Sequence, residues 1–202
     1  MKGMHDYIIQ IKEAYNDSFT TENGVKLFLD KRFSGKELAN KHAVIIDTPA
    51  LAESILKPGY EVIVDPTIHF KQKYERHGEN DNIFFKDQKE GLYKIQPSMI
   101  IMYREDKESS WKGYNENLLV EFIKEDDPET VKSSIIITEI KTKKNKDGLA
   151  KAKFVNAALN EEGVNENDLI VITKGRGIPI MIEGKEYFWI RNSDVLVKLN
   201  EN

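Results

Sequence analysis

Cysteine is absent from all 202 residues. Disulfides, thiolate metal sites and thiol nucleophiles are thereby excluded, and the absence fits a reducing cytosol, so a cytoplasmic protein is expected. Tryptophan is scarce, with two residues, and proline numbers only six; collagen-like and proline-rich segments are ruled out. Nowhere do about eighteen apolar residues follow one another, so no membrane partner is expected. The opening MKGMHDYIIQIKEAYNDSFT has no apolar run long enough for a secretory leader. An excess of positive charge is also lacking: the net charge is −4 and the pI about 5.7, which argues against nucleic acid as a partner.

What remains is a chain 40% hydrophobic and 32% charged, a globular composition with a wet surface. Its apolar residues fall in short runs rich in Val, Ile, Phe and Tyr, separated by turn signals such as KPG, GEND, EEGVNEND, KGRG and IEGKE. That pattern predicts many short strands in a sandwich or small barrel. A short helix through Ile8, Ile11 and Tyr15 is the only early exception. The runs also repeat. YKIQPSMIIMY (93–103) aligns without a gap on FWIRNSDVLVK (188–198), KPGYEVIVDP (57–66) on NENDLIVITK (165–174), NKHAVIID (40–47) on AKAKFVNA (150–157), and ENGVKLFLD (22–30) on ENLLVEFIK (116–124). Four matches in one order imply a tandem repeat. The expected organisation is an N-terminal extension (1–21), a degenerate first copy (22–105), a linker (106–115) and a second copy (116–202).

The spacings within the copies differ. Phe28 to Val44 is 16 residues, whereas Phe122 to Phe154 is 32. On this alignment only the second copy carries a long loop, 126–148, after its first strand. The first copy has its own surplus at 69–88. The second copy's loop holds the chain's most apolar triplet, Ile135, Ile136 and Ile137, between the acidic KEDDPET and the lysine-rich KTKKNKDG. Such flanks rarely pack into a core, so the triplet is expected to anchor another protein from a solvated arm. A hairpin capping its own barrel is the plainer alternative.

Other candidate sites are poorer. His77, Glu79 and Asp81 in HGEND offer metal-ligating atoms without a spacing that fixes a geometry. KGRG (174–177) lacks the phosphate-loop pattern. Lys141, Lys143, Lys144 and Lys146 lack the interleaved aromatics of a nucleic-acid surface. Trp189 reads as core. Ser, His and Asp are present without a nucleophile elbow. Neither an enzyme, nor a cofactor, nor a metal site is expected.

The closing segment NDLIVITKGRGIPIMIEGKEYFWIRNSDVLVKL (167–199) resembles the GroES, or chaperonin-10, co-chaperonins. The resemblance lies in Asp168 and the strand Leu169 to Ile172, the bend with Gly175 and Gly177, and the turn Glu183-Gly184-Lys185-Glu186-Tyr187. Phe188 to Ile190 and Asp194-Val195-Leu196 complete it. It extends back over roughly 116–199, and faintly over 22–105. It implies an all-β fold of tandem GroES-like small β-barrels. It also implies a non-enzymatic co-chaperonin that caps an ATP-dependent chaperonin ring and assembles with itself into a ring, usually sevenfold. By position the tripeptide that binds the chaperonin rim is Ile135-Ile136-Ile137, flanked by Ser133, Ser134 and Thr138. Serines stand where the family often has glycines. Neither copy has a roof hairpin, a trait similar to phage co-chaperonins with an open dome. The alternative is a virion component or assembly adaptor that reuses the fold without a chaperonin.

Overall fold

The segment HAVIID buries every second side chain. Ala43 and Ile45 point inward while Val44 and Ile46 are exposed. LAKAK repeats the alternation with Ala150 and Ala152. This period of two defines strands with one face on a core, and such strands build almost the whole chain. The computed structural model describes residues 2–15, 18–20, 25–28, 39–69, 72–74, 80–82, 85–87, 90–123, 148–173 and 175–199. The chain divides into two units, Met1–Ser110 and Trp111–Asn202.

The first unit contains β1 (Tyr7–Gln10), β2 (Ser18–Thr20), β3 (Lys26–Phe28), β4 (His42–Asp47) and β5 (Glu61–Val64). It continues with β6 (Gln72–Tyr74), β7 (Asn80–Asn82), β8 (Phe85–Asp87), β9 (Leu92–Ile95) and β10 (Ile100–Arg104). Its main sheet runs β10-β5-β4-β1-β9-β8, while β2–β3 and β6–β7 are separate two-stranded ribbons. Buried side chains from β1, β4, β5, β9 and β10 supply the core, Ile9, Ile45, Ile63, Ile95 and Ile100 among them.

The second unit contains β11 (Lys112–Gly113), β12 (Asn117–Phe122), β13 (Leu149–Lys153), the helix α1 (Ala157–Glu161), β14 (Leu169–Ile172), β15 (Ile178–Ile182), β16 (Lys185–Arg191) and β17 (Val195–Lys198). Six of its strands form one sheet in the order β15-β16-β12-β13-β14-β17. Leu118, Val120, Ala150, Ala152, Ile170, Ile172 and Ile190 make one cluster with Val155 and Val164. A core drawn from one sheet requires that sheet to wrap around it, in the manner of a small barrel.

The two sheets have the same strand order, and their registers coincide. Tyr7 opposes Ile95 and Ile9 opposes Tyr93, as Leu118 opposes Ile190 and Val120 opposes Phe188. Ile100, Met102 and Tyr103 oppose Val64, Ile63 and Val62. Val195, Val197 and Lys198 oppose Ile172, Val171 and Ile170, with the register shift at the same point. The turn before β5 has Gly59 at φ 93°, and the turn before β14 has Asn167 at φ 72°. Both last strands are preceded by a 3-10 turn, at Pro97–Met99 and Asn192–Asp194. The all-β architecture of two like units is therefore as expected.

Four details differ from the sequence expectation. Ile8 and Ile11 do not lie on a helix: Tyr7–Gln10 is a strand paired on both edges, and Tyr7, Ile8, Ile9 and Ile11 are buried. This strand, rather than 22–30, is the counterpart of Asn117–Phe122, since among the described residues Lys26–Phe28 pairs with Ser18–Thr20 and not with the main sheet. The match of 40–47 on 150–157 is out by three residues. Ala43 opposes Val62 as Ala150 opposes Ile170. Residues 111–115 also do more than link. A Cβ on Gly113 would overlap the Asn117 carbonyl oxygen and lie 2.9 Å from that of Phe154, so only glycine lets this segment approach the second sheet so closely. The 69–88 surplus holds the β6–β7 ribbon.

A buried asparagine pair fastens the second unit. Asn156 Nδ2 donates to the Asn117 carbonyl at 2.9 Å and to Asn192 Oδ1 at 2.7 Å, and its Oδ1 accepts from Leu159 N at 3.1 Å, capping α1. Asn117 Nδ2 donates to the Tyr114 carbonyl and its Oδ1 accepts from Trp189 Nε1, both at 2.9 Å. In the first unit the positions of Asn117 and Trp189 are taken by Asp6 and Lys94, an ion pair at 3.4 Å. Both tryptophans belong to the second unit, so their fluorescence reports on it alone. Asn156→Ala loses a helix cap and leaves buried groups unpaired, a cost of about 2–4 kcal/mol. The expected outcome is a lower urea midpoint of the tryptophan transition.

Candidate functional site

In each unit the chain leaves the first strand, makes an excursion and returns on the neighbouring strand. The second unit's excursion spans 123–148, between β12 and β13. Its roots are close together: Phe122 opposes Ala150, and Ile123 N donates to the Leu149 carbonyl at 3.3 Å. The Phe122 and Phe188 rings pack 4.6 Å apart at 59°, and Ile172 N donates to the Gly148 carbonyl at 2.7 Å. Beside the roots Lys185 pairs with Glu121 at 3.0 Å. Ile135, Ile136 and Ile137, with Ser133, Ser134 and Thr138, belong to this excursion by sequence and lie outside the described residues. So do His77 and Glu79. Gly175 and Gly177 have φ of 71° and 111° in the turn before β15.

The first unit's excursion spans 11–41, between β1 and β4. This corrects the expectation that only the second copy carries a long loop. The mistake came from taking 22–30 as the first strand, which hid the excursion inside the preceding segment. The signal was present, since DYIIQI aligns without a gap on NLLVEF.

The roots of this excursion are tied by a bridge between Tyr15 and Ala39. Asn40 N donates to the Ala14 carbonyl at 2.9 Å and Asn40 Nδ2 to the Glu13 carbonyl at 3.1 Å. Gly91, at φ 65°, packs so tightly that a Cβ would overlap the Ile11 carbonyl oxygen, while Ile11 N donates to Gly91 O at 2.9 Å. Both strands of the root meet at His69. Its Nε2 lies 2.9 Å from the Asn40 carbonyl, which fixes that nitrogen as the donor, and Tyr93 Oη reaches its Nδ1 at 3.3 Å. The Tyr15 and Tyr93 rings flank it at 5.7 and 5.4 Å. Burial holds the His69 pKa below its ordinary 6.5; the Asn40 hydrogen bond opposes that shift and the Lys41 charge adds to it. Burial pushes the Tyr93 hydroxyl up to about 12, with Tyr15 contributing.

Residues 110–199 match the family model described as Chaperonin 10 Kd subunit. The second unit is where the chain is similar to the chaperonin-10 family. The match takes in β11 through β17 and covers a little under half of the chain. It bears out the resemblance read from 167–199 and its extension back to β12. No curated protein matches the chain. The match begins before Trp111, in agreement with the packing of Gly113 into the second unit. Among the described residues no helix is long and apolar enough to cross a membrane.

The root at His69 yields a pH test. A ring with a lowered folded pKa is neutral in the fold at a pH where the unfolded chain already binds a proton. Its contribution is complete above the ordinary value of 6.5 and is lost as pH falls below it. The first unit's urea midpoint, followed by methyl resonances of β1 and β4, is expected to drop on acidification from neutrality. His69→Gln is expected to flatten that drop.

Proposed function

We propose that the protein is a non-enzymatic co-chaperonin. It assembles into a homo-oligomeric ring, usually sevenfold in this family, and caps an ATP-driven chaperonin through Ile135, Ile136 and Ile137. The observation that carries this reading is the chaperonin-10 match over 110–199, together with the place of the triplet. It stands near the middle of an excursion whose two roots are held side by side. An extended chain covers about 3.3 Å per residue, so the roughly dozen residues on either side give the triplet a reach of up to about 40 Å. Apart from Val131 and Ile140, the residues around it are mainly serine, threonine and charged residues.

The energetics suit a lid that must also leave. Burying three isoleucines gains on the order of 5–9 kcal/mol. Ordering a segment on binding costs roughly 2–5 kcal/mol. One arm is weak, and several on one ring bind through effective concentration. Self-assembly has support in the second unit's edge strands. β17 leaves Leu196 and Val197 60% and 51% exposed, and β15 does the same for Ile178 and Met181. Exposed apolar side chains on an edge strand favour pairing with another chain. The β6–β7 ribbon and a first unit outside the family match favour the second reading, an assembly protein that does not bind a chaperonin.

Two measurements test this. Mixed with a chaperonin ring and ATP, the protein is expected to co-elute with it, and Ile136→Asp is expected to abolish co-elution without changing the oligomer. Equal binding by the variant would remove the triplet from the contact. Native mass is expected to show a ring, and Leu196→Glu with Val197→Lys is expected to shift it to smaller species. An unchanged mass would mean that β17 is not the joint.

A further inference from the structure

We infer that the first unit's root is a pH-operated latch: protonation of His69 unfastens residues 12–15 from residues 39–41 while the main sheet stays formed. This reaches past the loss of stability described above, because the latch opens before the unit unfolds. The ring stands where four segments meet. Its own 3-10 turn, Pro66–His69, ends on it. Asn40 and Lys41 approach from the returning side, Tyr15 from the departing side and Tyr93 from β9.

The hydrogen bonds admit one ring proton and no more. Nε2 must donate to the Asn40 carbonyl, which has no hydrogen to give. Nδ1 is then the acceptor for the Tyr93 hydroxyl, whose raised pKa keeps it protonated. A second ring proton, on Nδ1, would set hydrogen against hydrogen across this contact. Tyr93 is buried, so its hydroxyl does not turn freely into water. Among the described residues the titratable and charged groups that bear on the ring are Tyr15, Lys41 and Tyr93. None of them is a carboxylate that would welcome the charge, and Lys41 repels it. Asp65, at the head of the same 3-10 turn, accepts from Thr67 N at 2.8 Å.

The ring is partly exposed, so a proton reaches it and the charged ring has a way out to solvent. Its departure removes the Asn40 contact and both tyrosine contacts together. The Tyr15–Ala39 bridge and two hydrogen bonds of Asn40 are left to hold the root. Opening them only lengthens a connection that is already long, which costs little in loop entropy. The sheet does not share this dependence: β1 keeps its ladders to β4 and β9. Local openings of this kind sit below global unfolding in free energy. The second unit's Phe122–Phe188 contact does not titrate, so that root supplies an internal control.

Amide hydrogen exchange on the full-length chain reads the latch, followed by NMR at about pH 7.5 and about pH 5.5 and corrected for intrinsic rates. The Asn40 amide, bonded to the Ala14 carbonyl, is expected to lose protection by up to about tenfold per pH unit below the ordinary imidazole range. The amides of Ile45, bonded to Tyr60, and Ile123, bonded to Leu149, are expected to keep theirs. Equal protection of Asn40 at both pH values overturns the inference. A parallel loss at Ile45 overturns it too, since the unit would then be unfolding as a whole. His69→Gln keeps a donor for Asn40 and an acceptor for Tyr93 with no proton to gain, and its Asn40 protection is expected to be flat over the same range. A loss as large as in the unaltered chain would assign the response to another group. The His69 ring resonances of the unaltered chain give a readout that needs no variant. Their midpoint is expected below the ordinary 6.5, together with the loss of Asn40 protection, and a midpoint at or above that value refutes the latch.

Discussion

The first strand of each unit is hydrogen-bonded along both edges, β1 by β4 and β9, β12 by β13 and β16. One of its two neighbours is also the next strand of the sheet in sequence, and it runs antiparallel. The connection between them must therefore leave and return at one end of one ladder. Once that ladder is formed, the length of the connection is almost free, because closing a longer loop costs only logarithmically more. The fold thus accepts a long connection at this point in the sheet. Both units have one, and in both the root is tight.

The roots are built from different chemistry. The second unit packs Phe122 against Phe188 and pairs Lys185 with Glu121 beside them. The first unit uses polar aromatics, with His69 hydrogen-bonded to the returning strand and flanked by tyrosines from the departing strand and from β9. A phenylalanine pair is indifferent to pH, whereas an imidazole with a lowered pKa is not. The duplicated position has retained its geometry and changed what holds it. The same exchange is seen at the Asp6–Lys94 ion pair, which stands where Asn117 and Trp189 share a hydrogen bond.

Much of this was legible in the sequence, because strands with one buried face leave a period of two that composition cannot blur. The all-β class followed from it, and aligning the chain on itself gave the tandem repeat and the matches of β9–β10 on β16–β17 and of β5 on β14; the likeness of the second unit to the chaperonin-10 family came from the motifs of 167–199 instead. The errors have local causes. Ile8 and Ile11 lie three apart, as on a helix, and Tyr7, Ile8 and Ile9 form a run buried on both faces, which no periodicity separates from a helix turn. ENGVKLFLD alternates well and was taken for a framework strand, though it holds half of a ribbon. Displacing one strand concealed an entire excursion. The His69 root was invisible for another reason: Tyr15, Asn40, His69 and Tyr93 are spread over some eighty residues, and only the sheet brings them together.

The two last strands carry the argument from fold to assembly. β10 and β17 share a register and a register shift, yet Ile101 and Met102 are fully buried in the chain, while the matched Leu196 and Val197 are exposed. Two copies of one strand thus differ in whether the single chain satisfies them. An open edge of this kind attracts another strand, and the surface that meets it must differ from β17 itself if assembly is head-to-tail. A repeating contact between unlike surfaces closes into a ring when its rotation divides the circle and otherwise grows without limit. The co-chaperonin ring proposed above would need the first outcome.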